Sequence, residues 1–158
     1  MRATPQLQWT AIKISSNRTG PVDAPCWSRE AVISGQNDTG RFLSAGARSA
    51  WWLRATNEQL PTALPRLLSL IQFAPNILIE SNRIVDFLRP DCYLLALDLS
   101  VEDFKDSARR LAQQADGLVF VDRGEGEASW AKTLLPKLKS QPRFRVVPPD
   151  YASRDIIT

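Results

Sequence analysis

Glu80 closes the stretch Asn76 to Asn82, Asn-Ile-Leu-Ile-Glu-Ser-Asn, in which a short apolar run ends on a carboxylate. Apolar runs of about four to eight residues between turn-formers read as strands buried on both faces, as in parallel sheets. Open α/β sheets place their ligand crevice outside the carboxyl ends of the strands, so an acid there can hold a metal ion or polarise a water. The plainer reading is that Glu80 is the first solvated residue after a core strand. Two further apolar runs also end on acids, Cys92 to Leu97 before Asp98 and Leu118 to Val121 before Asp122. Lys13, near the end of the alternating run Trp9 to Ile14, can reach an anionic ligand, although lysine on an exposed edge strand is the commoner case.

The chain contains no histidine, which removes serine or cysteine chemistry with a histidine base, most zinc sites and histidine acid–base catalysis. An enzyme built from these residues works through carboxylates, Lys, Arg, backbone amides and a metal ion with oxygen ligands. Phosphoryl chemistry suits that set, because there the protein mainly positions groups and stabilises charge. The cysteines, Cys26 and Cys92, lack metal-type spacing and read as reduced, structural residues. Basic residues exceed acidic ones by 20 to 17, and the charges are interspersed along the chain, which argues against a nucleic-acid face. No stretch reaches the roughly 18 apolar residues of a membrane span, and the N-terminus lacks the apolar segment of a signal peptide. The expectation is a cytoplasmic protein of one domain over residues 1–158, with no membrane partner.

These candidates need elements to position them. Trp9 to Ile14 reads as a strand, residues 15–39 as a long polar loop, and Ser49 to Arg54 as the next strand. Leu60, Leu64, Leu67, Leu68 and Ile71 recur at helical spacing after Thr56 and Asn57, either of which can cap, while Pro61 and Pro65 push the regular helix towards Thr62. Strands over Ile77 to Glu80, Cys92 to Asp98, Leu118 to Val121 and Phe144 to Val147 alternate with helices. One helix starts at a capping box of Ser100 and Asp103 and carries Val101, Phe104, Ala108, Leu111 and Ala115 on one face. The other runs from Glu127 to Leu138 with a kink at Pro136. The alternation predicts an α/β fold, a mostly parallel sheet with helices on both faces.

The order of Trp9 to Ile14, then Asp38-Thr39-Gly40-Arg41-Phe42-Leu43-Ser44-Ala45-Gly46-Ala47, then Ile77 to Asn82 resembles successive segments of bacterial P-loop NTPase-like proteins. These are the relatives of molybdopterin-guanine dinucleotide biosynthesis protein B and, more distantly, of dethiobiotin synthetase. Phe87 to Asp91 and Asp103 to Arg110 look like an uncharacterised branch of that group. The resemblance implies a three-layer nucleotide fold that uses Mg²⁺ and ATP or GTP. It implies that Glu80 is the catalytic acid and organises the metal with Asp38. Lys13, Arg41, Ser81 and Asn82 are then the residues implied to line the nucleotide. Asp38 as a turn residue, Arg41 as a solvated charge and Ser81-Asn82 as a cap or turn are the alternatives.

One departure from the pattern matters most. No Gly-Lys-Ser or Gly-Lys-Thr occurs in the chain, so the amide cradle, the phosphate lysine and the Mg²⁺ hydroxyl ligand of a P-loop are missing. The chain reads as an N-terminally truncated domain lacking its first strand, unable to hydrolyse nucleotide in this form. Loss of a central strand predicts unpaired backbone edges covered by a second copy or a partner protein. A non-catalytic partner-binding protein, and an unrelated small α/β module for an anionic metabolite, stand as the other readings.

Overall fold

Trp9–Ser15 is rich in β-formers, and it builds β1, an interior strand of its sheet. In this computed structural model the described residues are 7–16, 24–102, 106–124, 126, 128–138, 140–149 and 151. They fall into two compact units, Met1–Phe87 and Leu88–Thr158.

In the first unit β1 is paired on both sides in parallel. On one side lies β3 (Ser49–Arg54), in register from Thr10↔Ser49 to Ser15↔Arg54. On the other lies β4 (Asn76–Glu80), from Trp9↔Asn76 to Lys13↔Glu80. β2 (Cys26–Arg29) runs antiparallel along β3, giving the order β2-β3-β1-β4. Period-two alternation turns Ala11 and Lys13 to one face and Ile12 and Ile14 to the other. Helix α1 (Asp38–Ser44) packs on β1 and β3 over Ala11, Ala47 and Ala50, with Phe42 and Leu43 against them. Helix α2 (Leu60–Gln72) buries Leu60, Ala63 and Leu67, and its Arg66 stacks 5.3 Å from the ring centre of Trp27, which is paired with Leu53 across β2 and β3. That contact sets α2 on the face opposite α1. Each of the fully buried Ile12, Leu53, Leu60 and Leu67 contributes about 1.5–3 kcal/mol relative to an exposed position.

The second unit holds a three-stranded parallel sheet, β5 (Leu94–Asp98), β6 (Gly117–Val121) and β7 (Arg143–Val146), in that order. Leu95, Leu97 and Leu118 form one face and pack with Ala112, Ala115, Trp130, Ala131, Leu134 and Leu138. Helix α3 (Asp106–Leu111) passes into a 3₁₀ turn over Ala112–Gln114. Helix α4 (Ser129–Leu134) tightens into a 3₁₀ turn over Leu135–Lys137, where Pro136 lacks the amide the α-helical pattern needs. The first turn of α4 is capped from a distance: Glu102 accepts hydrogen bonds from the Ser129 amide at 2.8 Å and its hydroxyl at 2.7 Å.

Several expectations are corrected. The strands form two hydrogen-bonded sheets, one mixed and one parallel, in place of one continuous sheet. Trp9–Ser15 is paired on both sides in the interior of its sheet, and among the described residues β2, β4, β5 and β7 are the strands with a single partner. Within the loop expected over residues 15–39, Cys26–Arg29 is a strand, and Asp38 begins a helix. Helix α2 starts at Leu60, with Pro61 in its first turn and Pro65 inside, earlier than the prolines suggested. Thr56 and Gln59 exchange hydrogen bonds just ahead of it, a turn equivalent to a capping box. Of the expected box at Ser100, Asp103 lies outside the described residues, as does Phe104; the Ser100 hydroxyl donates instead to Asp98 at 2.7 Å.

Candidate functional site

Register alone brings Lys13 and Glu80 together, because they are partners across β1 and β4 and therefore project from the same face. The Lys13 ammonium donates to Glu80 Oε1 and lies 2.9 Å from Asp38 Oδ2. Asp38 reaches this point because α1 starts there: the Asn37 side chain accepts the Gly40 amide at 2.6 Å as N-cap, which leaves Asp38 in the first turn. The other Asp38 oxygen pairs with Arg41 Nη1 at 3.3 Å, one helical turn on, and Arg41 Nε donates to the Gly35 carbonyl at 2.9 Å. Of the sequence-derived candidates, the structure thus gathers Lys13, Asp38, Arg41 and Glu80 into one cluster near the carboxyl ends of β1 and β4.

Two charges of each sign make the cluster neutral. Burial of Lys13 works against its ammonium form, but hydrogen bonds and charges from Glu80 and Asp38 outweigh it and raise the pKa above the ordinary lysine value. Lys13 is accordingly held charged, and two of its three donors face protein carboxylates. Trp52, the partner of Lys13 on β3, walls the other side; its Nε1 donates to Ser15 Oγ at 2.8 Å and Arg54 stacks over its ring at 4.9 Å.

Ser81 and Asn82 do not join the cluster. The Ser81 hydroxyl accepts from the amides of Arg83 and Ile84, both at 3.2 Å, and so caps the short 3₁₀ turn Ile84–Asp86. Asn82 is exposed. Arg83 bonds back to Asn57 Oδ1 at 2.6 Å and to the Ala55 carbonyl at 3.0 Å, tying the end of β4 to the segment after β3.

Glu30 was not singled out by the sequence. Its carboxylate accepts the amides of Ala31 and Val32 at 3.0 Å, the Asn37 amide nitrogen at 3.2 Å and the Thr39 hydroxyl at 2.8 Å. It therefore organises the turn that delivers Asn37 and Asp38. These bonds, led by those from the Val32 amide and Thr39, lower its pKa below the usual carboxylate value. A signal was present in Asn37-Asp38, a capping residue followed by an acid, which favours a helix start.

The acids that end strands of the second unit are also neutralised. Asp98 accepts from Arg123 Nε at 2.7 Å, and Asp122 pairs with Arg145. A shallow cavity there is lined by Leu99, Phe120, Leu135, Arg143, Phe144 and Arg145. Arg143 stacks on Phe120 and donates to the carbonyls of Leu135 and Leu138.

No family model matches this chain, and no curated protein or solved structure shows detectable similarity to it. Among the described residues no helix is long and apolar enough to cross a membrane.

Proposed function

We propose that this chain is a non-hydrolytic protein of the P-loop NTPase-like class, of the molybdopterin-guanine dinucleotide biosynthesis protein B type, which acts by binding a protein partner. The observation that carries the reading is the closed cluster of Lys13, Asp38, Glu80 and Arg41. A triphosphate needs a surplus of positive charge or a nest of free amides, and a neutral cluster with an engaged lysine offers neither.

Mg²⁺, the metal that the resemblance implies, takes near-octahedral oxygen ligands at about 2.0–2.1 Å. Asp38 and Glu80 are donors of the right kind, but the position both carboxylates address is taken by the Lys13 ammonium. The described residues include no group of three or more His, Cys, Asp or Glu able to hold a metal. The cluster therefore does not fit a resident Mg²⁺ while Lys13 is in place. An anionic metabolite finds little support in the second unit, where Arg145 is paired with Asp122 and Arg143 is bound to carbonyls.

Calorimetric titration with Mg²⁺-ATP and Mg²⁺-GTP tests the proposal. No saturable binding in the micromolar range is expected; a micromolar Kd that disappears in Asp38→Asn would overturn it.

A further inference from the structure

β4 has the composition of an interior strand and the position of an edge strand. Ile77, Leu78 and Ile79 make it apolar on both faces, yet among the described residues it pairs with β1 alone. Leu78 remains 39% exposed. The far edge of the same sheet shows how an edge is ordinarily protected: β2 has four residues and carries exposed Ser28 and Arg29. β4 has no lysine or proline, and its register with β1 runs unbroken without a bulge. Nothing in the strand discourages another strand from joining it.

We infer that the free edge of β4 pairs antiparallel with β4 of a second copy of this chain, centred on Leu78. One edge can meet its own copy in a closed assembly only across a two-fold axis, and that operation runs the two strands in opposite directions. The sequence Asn-Ile-Leu-Ile-Glu is self-complementary in this arrangement. Asn76 lies opposite the partner's Glu80, Ile77 opposite the partner's Ile79, and Leu78 opposite the partner's Leu78. Glu80 is held by Lys13 and the Asn76 side chain donates to the Leu7 carbonyl, so this end pair opposes no like charges, and the pairing rests on the apolar residues that meet across the strands. The edge of β5 is a poorer match. Self-pairing about Ala96 sets the apolar Leu94 against the charged Asp98 at both ends of the pair.

The inference names the partner for the protein-binding reading above, on which it rests, but its test reads assembly and not nucleotide binding. A dimer formed elsewhere on the molecule fails this inference and leaves that reading standing.

Light scattering on the full chain should report a dimer at micromolar concentration. Residues directly opposite in an antiparallel pair have Cβ atoms about 4.5–5.5 Å apart, within reach of oxidative or short bis-maleimide cross-linking. In a Cys26→Ser, Cys92→Ser background, the Leu78→Cys variant should cross-link to itself and the Ser28→Cys variant, on the β2 edge, should not. Leu78→Lys should yield a monomer with an unchanged circular dichroism spectrum. A monomeric native chain, or a dimer that survives Leu78→Lys without cross-linking through position 78, overturns the inference.

Discussion

Lys13 carries more of the site than its neighbours, because among the described residues it is the cation that both Asp38 and Glu80 share. Its side chain is 21% exposed, against 43% for Asp38 and 49% for Glu80, so solvent screens the pairs and limits their worth. Lys13→Met should lower stability by about 1 kcal/mol in urea at neutral pH, since it removes both pairs and leaves two carboxylates facing each other. The pKa of Lys13 is raised in the folded state. Its contribution is thus fully present below the unfolded value of about 10.4 and is lost as pH rises through the folded one. The gap between native chain and variant should close over that alkaline range, and a gap independent of pH there would contradict the pairing. The cluster also shows how far residue types take a reader. Glu80 and Lys13 stood out as charged residues near strand ends, whereas their contact depended on parallel register between segments more than sixty residues apart, which no local pattern encodes.

At the level of elements, the turn between β2 and α1 decides where Asp38 stands. Glu30 gathers Ala31, Val32, Asn37 and Thr39 around one carboxylate, and Gly40 leaves no room for a Cβ, which would lie 2.8 Å from the Ser34 carbonyl oxygen. Since the pKa of Glu30 is depressed, the order it imposes is present above the unfolded glutamate value of about 4.3 and lost as pH falls through the folded one. Hydrogen exchange should show the amides of Ala31 and Val32 losing protection in that acidic range. Glu30→Gln should lower their protection already at neutral pH and remove the acid dependence; an unaltered profile would mean that Glu30 does not hold the turn. This is also where sequence reading was weakest. Strands β1, β3, β4, β5, β6 and β7 were legible because their apolar runs are marked by turn-formers. β2 was not, since Cys-Trp-Ser-Arg lacks a run of its own and is a strand only because β3 offers it an edge. Helix α1 was missed, its first two residues falling in the expected loop, because seven residues are too few to show an amphipathic period. The start of α2 was placed late because a proline near the beginning of a helix was read as a barrier, although its missing amide costs nothing in the first turn.

For the whole molecule, the division into two sheets is the feature the sequence did not disclose. Alternation of strands and helices is the same whether neighbouring strands pair or fall in separate sheets, so the pattern specified an α/β class without the break after β4. Among the described residues β4 pairs with β1 alone and β5 with β6 alone. Dimerisation through β4 couples assembly to folding, so the melting temperature should rise with protein concentration in the native chain and stay constant in Leu78→Lys. Equal concentration dependence in both would exclude that edge as the source of the coupling.

The claim that the Lys13 cluster is closed to nucleotide chemistry is tested most directly by Mg²⁺-dependent phosphate release from ATP and GTP, with the native chain beside Glu80→Gln. Release at the background rate in both proteins is the predicted result. Turnover above background in the native chain that is lost in Glu80→Gln would contradict it, and would make Glu80 a catalytic acid in place of a partner for Lys13.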